Sequence, residues 1–188
     1  MIYFDTNDDG PISDPAIAPL WSDLIDCERQ LKASDTQFSR RCFVRCSFAF
    51  MEAGLVFLRD NAMKLATSDS VLRGEGIEGT LLNAITDSSF RIEPTGKVTH
   101  QMARSSFIRR VALLFRASLE LRGEDAEALF STNNWQFFQD AVKIRNRITH
   151  PRKEEDSALS ESDMEEVRWA LRWYFEANAA VAGIPFSK

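Results

Sequence analysis

Between Cys42 and Leu58 the chain is apolar on nearly every side of a helix, interrupted only by Arg45, Ser47 and Glu52. A helix that is apolar all round has no face to give to water, so other elements must surround it. That constraint predicts a central, buried helix with the rest of the chain packed about it. Asp35 or Thr36 can cap its start, and the pattern carries it to Ala66. Glu52 is the exception to explain: it either pairs with an arginine of the last helices or reaches solvent at an edge.

The flanking segments supply the covering helices. Leu20, Leu24, Cys27 and Leu31 recur at helical spacing within Ala16–Lys32. Phe107, Val111, Leu114 and Leu121 do the same within Ala103–Leu121, where Arg122-Gly123 forms the stop. Ser131-Thr132-Asn133 can cap a further helix. Ser162 and Glu165 match a capping box for the last one. That last helix carries Met164, Val167, Leu171 and Tyr174 on one side and Trp169 and Trp173 on another, and it ends before Gly183 and Pro185. It must bury more than one face, either centrally or in a dimer interface, where Trp and Tyr are favoured.

Between the central helix and the Ala103–Leu121 helix the pattern changes. Residues 67–80 read as a loop, and Gly74-Glu75-Gly76-Ile77-Glu78-Gly79 matches G-x-G-x-x-G on paper. A dinucleotide site needs a strand before those glycines. Here a helix precedes them, and Glu75 and Glu78 would repel phosphate. A short helix over Leu81–Thr86 is expected next. Phe90–Thr99 alternates around Pro94 and Gly96, which suits a type I turn in a small β-hairpin. His100 follows, on an insertion that can touch substrate or partner or be merely surface. The expected fold is therefore all-α: an antiparallel helical bundle of four to five main helices with a small β-hairpin insertion. Residues 1–15 read as a flexible acidic leader, with 16–188 as a single domain.

Composition narrows the function classes. A chain of 188 residues is large enough for one real core. Its formal charge of −5 means that any nucleic-acid site must be a local basic patch. Three cysteines, Cys27, Cys42 and Cys46, give an odd count without a disulfide framework, as in a reducing compartment. Cys42 and Cys46 share a helix face but have no histidine pair nearby, so they read as core residues and not as metal ligands. No signal-like segment and no membrane-spanning run is evident, so a cytoplasmic protein is expected.

The basic patch is Lys143–Lys153, with Lys143, Arg145, Arg147, Arg152 and Lys153 and no acidic residue. At about 100° per residue, Phe137, Ala141, Ile144 and Ile148 form an apolar stripe, and Arg145 lies only about 60° from it, beside Phe138 and Val142. A guanidinium there needs a partner or an anion. Lys143 and Arg147 point the other way and can be solvated. Asn146 and His150 share a side of the helix. Pro151 disfavours helical geometry at His150, which frees the imidazole to swing toward Arg145. The plain alternative is that Arg145 and His150 only match the dipole at a helix C-terminus.

Arg145, Asn146 and His150 spell R-N-x-x-x-H, followed by Pro151. This resembles the R-x(4–6)-H motif of HEPN domains, all-helical dimeric proteins of prokaryotic toxin and defence systems, many of them metal-independent ribonucleases. The resemblance covers the motif closely and the central and final helices in outline. It implies a homodimer with two motifs facing across a cleft, and an endoribonuclease with Arg145, Asn146 and His150 as catalytic residues. Lys143, Arg147, Arg152, Lys153 and Arg109 would contact RNA. No metal or cofactor is expected, and an antitoxin or regulatory protein would restrain the enzyme. The alternative is a non-catalytic HEPN-like dimerisation module that binds nucleotide, RNA or protein with the same patch.

Overall fold

The computed structural model describes residues 15–73, 84–86, 88–102 and 106–183. The main helices are α1 (Ala18–Ala33), α2 (Gln37–Arg73), α3 (Phe107–Glu120), the single turn α4 (Glu127–Phe130), α5 (Asn133–Thr149) and α6 (Glu161–Val181). A hairpin of β1 (Ser88–Ile92) and β2 (Val98–Met102) stands between α2 and α3 in the chain. A 3₁₀ turn over Glu154–Ser157 joins α5 to α6. The expected helical bundle with a hairpin is the observed one. No helix among the described residues is long and apolar enough to cross a membrane.

α2 is the central helix, and its buried residues Phe43, Val44, Phe48, Met51, Leu55 and Leu58 touch every side of the bundle. α1 runs back antiparallel along it, which brings Trp21 to 5.4 Å from Phe50 between ring centres. α6 runs parallel to α2: Arg40 meets Glu161 near their starts at 3.0 Å, and the Tyr174 hydroxyl donates to the Met51 carbonyl further along at 3.2 Å. α5 is antiparallel to α6, tied by Arg147 to Asp163 at one end and by Asn134 to Glu176 at the other. Trp173 of α6 is buried against Phe115, Trp135 and Phe138, and its indole N–H donates to the Leu129 carbonyl. Trp169 stays partly exposed, stacked on Phe137. The last helix therefore buries one wide face that takes in Trp173, while Trp169, expected beside it, lies at the exposed edge.

Three boundaries differ from expectation. α2 continues through residues 67–73, expected as loop, because nothing from Thr67 to Arg73 breaks a helix before Gly74. The start of α3 is Phe107, capped by the Ser106 hydroxyl. The cap of α6 is the box Ser160/Asp163, two residues before the expected Ser162/Glu165. Both serines have an acid three residues on, so local pattern does not decide between them. The decision is tertiary: buried Leu159 is held through its N–H and carbonyl by the Gln37 side chain, and Arg40 adds a third bond. The chain is thus extended up to Ser160. The G-x-G-x-x-G stretch, most of the acidic leader, and residues 81–83 and 103–105 lie outside the described residues.

The hairpin forms where expected but runs longer, from Ser88 to Met102, so that His100, expected to follow it, lies within β2 opposite Phe90. The Gly96 N–H donates to the Glu93 carbonyl at 2.8 Å. Gly96 has φ +78°, the left-handed conformation that closes a type I turn in a three-residue hairpin loop. α2 and α6 approach closely at Gly54, where a Cβ would collide with the Tyr174 hydroxyl. Gly54 therefore sets the spacing between α2 and α6. We expect Gly54→Ala to lower stability by about 1–3 kcal/mol through overpacking. Adding Tyr174→Phe should recover part of that loss, giving a favourable coupling in a urea-denaturation double-mutant cycle. Purely additive effects would mean that the hydroxyl does not set the spacing.

Candidate functional site

α5 delivers the motif. Thr132 caps its start by accepting from the Trp135 N–H, and no glycine or proline interrupts it before His150-Pro151. Its buried residues are Phe138, Ala141, Val142, Ile144 and Ile148, so the core face includes the flank on which Arg145 was placed. Phe137, expected in the core stripe, is only partly buried.

Arg145 is half-buried and has found an anion. Its Nη2 donates to Glu52 Oε1 of α2, and its Nη1 donates to Asn146 Oδ1 at 3.0 Å. The guanidinium carbon lies 5.8 Å from the centre of the Phe48 ring and 6.0 Å from that of Phe107. These are cation–π distances on two rings from two different helices. Glu52, the charged exception in the apolar stretch, is thus the partner of the one motif cation beside the core. Its side chain remains 41% exposed, so the pair opens to solvent on one side.

His150 is the C-cap of α5, one residue past the last helical position, and its N–H still donates to the Asn146 carbonyl at 3.0 Å. Its backbone leaves the helical region at φ −128°, ψ 61°, in keeping with the bias of a following proline against helical geometry. The imidazole is exposed and, among the described residues, makes no hydrogen bond or ion pair.

The other cations of the patch divide into two groups. Lys143 pairs with Asp140 at 2.6 Å. Arg147 was expected to be free for solvent or RNA, yet it ties the end of α5 to the start of α6, donating to Asp163 at 2.8 Å and to the Ala158 carbonyl at 2.9 Å. Arg152 and Lys153 are exposed, and their backbone N–H groups converge on Asp156 Oδ2. Those bonds, the one from Arg152 first, hold the Asp156 carboxyl below its usual range. Arg109 is exposed in the first turn of α3, the helix whose Phe107 lies against Arg145.

Beside Arg145 a cleft of about 350 Å³ opens between α2 and α3, lined among others by Glu52, Leu55, Arg59, Phe107 and Arg110. Glu52 and Phe107 belong to both features, so the cleft is continuous with the Arg145 pair. Sequence reasoning did not bring Arg59 or Phe48 to the site. The available signal was their place on the same helix as Glu52, at helical spacing from it. No group of His, Cys, Asp and Glu among the described residues could hold a metal ion.

Fold and site together define a helical bundle with a basic helix end, whose motif arginine is clamped by a carboxylate from the central helix. No protein-family model, no curated protein and no solved structure matches the chain.

Two outcomes are expected. Burial pushes the Asp163 carboxyl up, but hydrogen bonds from the Ser160 N–H, the Ser160 hydroxyl and Arg147 outweigh it and leave the group below its usual 3.8. A lowered native pKa contributes stability that is complete above the unfolded value and is lost as pH falls through the native one. The stability gap between wild type and Asp163→Asn should therefore narrow as urea melts are taken from pH 6 to pH 3. A gap that stays constant would remove the charge from the argument. Separately, Glu52→Gln should cost about 1 kcal/mol, discounted for exposure, and less at high salt.

Proposed function

We propose that the protein is a metal-independent endoribonuclease of HEPN type, acting as a homodimer with two Arg145/His150 sites across a cleft. The observation that carries this reading is that one helix end holds both an oriented guanidinium and a histidine that, among the described residues, makes no hydrogen bond or ion pair. Arg145 is aimed by Glu52, Asn146, Phe48 and Phe107, and His150 is exposed five positions later. In the reaction the ribose 2′-oxygen attacks the adjacent phosphorus and loses its proton to a base. The 5′-oxygen leaves with a proton from an acid, and a 2′,3′-cyclic phosphate remains. His150 supplies one of these proton transfers, and the partner protomer's copy of this histidine supplies the other. Arg145 stabilises charge on the phosphoryl oxygens, and Asn146 orients the phosphate or the imidazole. Arg152 and Lys153, with Lys143, Arg147 and Arg109 around them, attract the RNA backbone. A toxin or defence role would call for an antitoxin or regulatory partner.

A second reading, a non-catalytic HEPN-like module for dimerisation or for nucleotide, RNA or protein binding, draws support from the Arg145–Glu52 pair. A guanidinium already neutralised within the chain can be structural.

The test is cleavage of a mixed RNA pool in EDTA by wild type, His150→Ala and Arg145→Ala, with dimerisation and helicity checked for each. The proposal expects cutting with cyclic phosphate ends, reduced by about 100-fold or more in both variants. Wild type as inert as the variants, while dimeric and folded, would favour the binding module. Cutting that survives both substitutions would move the active site elsewhere.

A further inference from the structure

The three cysteines are not scattered core residues. Cys27 of α1 and Cys46 of α2 face each other with sulfurs 3.2 Å apart, and Cys42 lies one helical turn from Cys46. All three residues are only partly buried, at the margin of the core and not within it. A disulfide has a sulfur–sulfur bond of about 2.05 Å, so closure asks the two atoms to approach by only about 1 Å. Cys42 and Cys46 stand on the same helix, one turn apart, where the rigid backbone opposes bridging. The geometry thus selects the pair that joins two helices.

The helix this pair would hold rests mainly on one neighbour. α1 packs chiefly along α2, and Trp21 near its start reaches Phe50 and Phe175. Its second half is separated from α6 by a groove of about 550 Å³, with Glu28, Leu31 and Lys32 on one wall and Glu165, Trp169 and Arg172 on the other. Cys27 sits at the start of that half. A covalent bond there fixes α1 against α2 and with it one wall of the groove.

We infer that Cys27 and Cys46 are a redox-modification site: a thiol pair that a peroxide oxidises to a reversible intrachain disulfide, pinning α1 to the central helix. The inference is independent of any ribonuclease activity. In the first step the Cys46 sulfur attacks one peroxide oxygen. The O–O bond breaks, the other oxygen leaves as water, and Cys46 becomes a sulfenic acid. The Cys46 thiol proton goes to the departing oxygen, which completes that first water. In the second step the Cys27 sulfur attacks Cys46 and the S–O bond breaks. The Cys27 proton goes to the leaving hydroxide, which departs as a second water. Hydrogen peroxide takes the two electrons. Burial, with the Cys46 thiol adding to it, pushes the Cys27 thiol up to about 12. Cys27 therefore stays a thiol at rest and is the resolving partner, giving up its proton only as its sulfur attacks the oxidised Cys46.

The experiment treats the full chain with a small excess of hydrogen peroxide, blocks free thiols with iodoacetamide and measures intact mass and peptide maps. The expected product takes up one alkyl group, at Cys42, where the reduced protein takes up three. It contains a Cys27–Cys46 cross-linked peptide and returns to three alkylated thiols after dithiothreitol. Its thermal midpoint should rise by about 7–13 °C, as a loop of this length predicts. Cys42→Ser should leave the cross-link intact, and Cys27→Ser or Cys46→Ser should abolish it. Three free thiols after peroxide, a cross-link through Cys42, or oxidation that dithiothreitol does not reverse would each overturn the inference. The wild-type peptide map decides even if a serine variant fails to fold.

Discussion

A guanidinium placed against two phenyl rings at the margin of a core has to be neutralised, because the rings alone cannot replace the water it gives up. In this chain that cation is Arg145 and the anion is Glu52. The pair explains why a carboxylate persists in the stretch 42–58, where only Arg45 and Ser47 also interrupt the apolar run. It also joins the central helix α2 to α5, and Phe107 brings in the first turn of α3. Three helices distant in sequence are thus registered at one charge. The small spacing that Gly54 allows between α2 and α6 then fixes the remaining side.

The parts of this architecture legible in sequence were those written in local pattern. The apolar run 42–58, the helical spacing of α1, α3 and α6, and the Pro94/Gly96 turn each specify an element through residues within a few positions. What local pattern left undecided depended on partners far along the chain. Ser160 and Ser162 are equivalent caps until Leu159 is held by Gln37, more than a hundred residues away. The same holds at the site. That Arg145 needed an anion followed from its place on the helix, but Glu52 as that anion required the fold. Arg147 read as solvated because Asp163 lies beyond the turn that folds α6 back onto α5. Cys27 and Cys46 gave no local sign of meeting, since they approach only when α1 reverses along α2.

These pairings divide the basic segment by use. Lys143 and Arg147 are satisfied by carboxylates of α5 and α6, and Arg145 by Glu52. His150, Arg152 and Lys153 remain exposed where α5 ends. The attraction such a surface can exert on a polyanion is concentrated at the helix end, not spread along α5. A net charge of −5 on the chain as a whole confines it further.

Under the ribonuclease reading, the Arg145–Glu52 pair shapes the chemistry as well as the fold. An arriving phosphate has to share the guanidinium with a carboxylate already in place. Arg has five N–H donors in a fixed fork, and two of its nitrogens are engaged here, by Glu52 and Asn146. The remaining donors can meet a phosphoryl oxygen without breaking the pair, while Glu52 keeps the fork from turning. The carboxylate also repels the phosphate, so ground-state binding is weakened. It weakens transition-state binding less if the guanidinium draws closer to the oxygens as their charge grows. A clamp of this kind sacrifices affinity for orientation, and only differential stabilisation of the transition state accelerates the step.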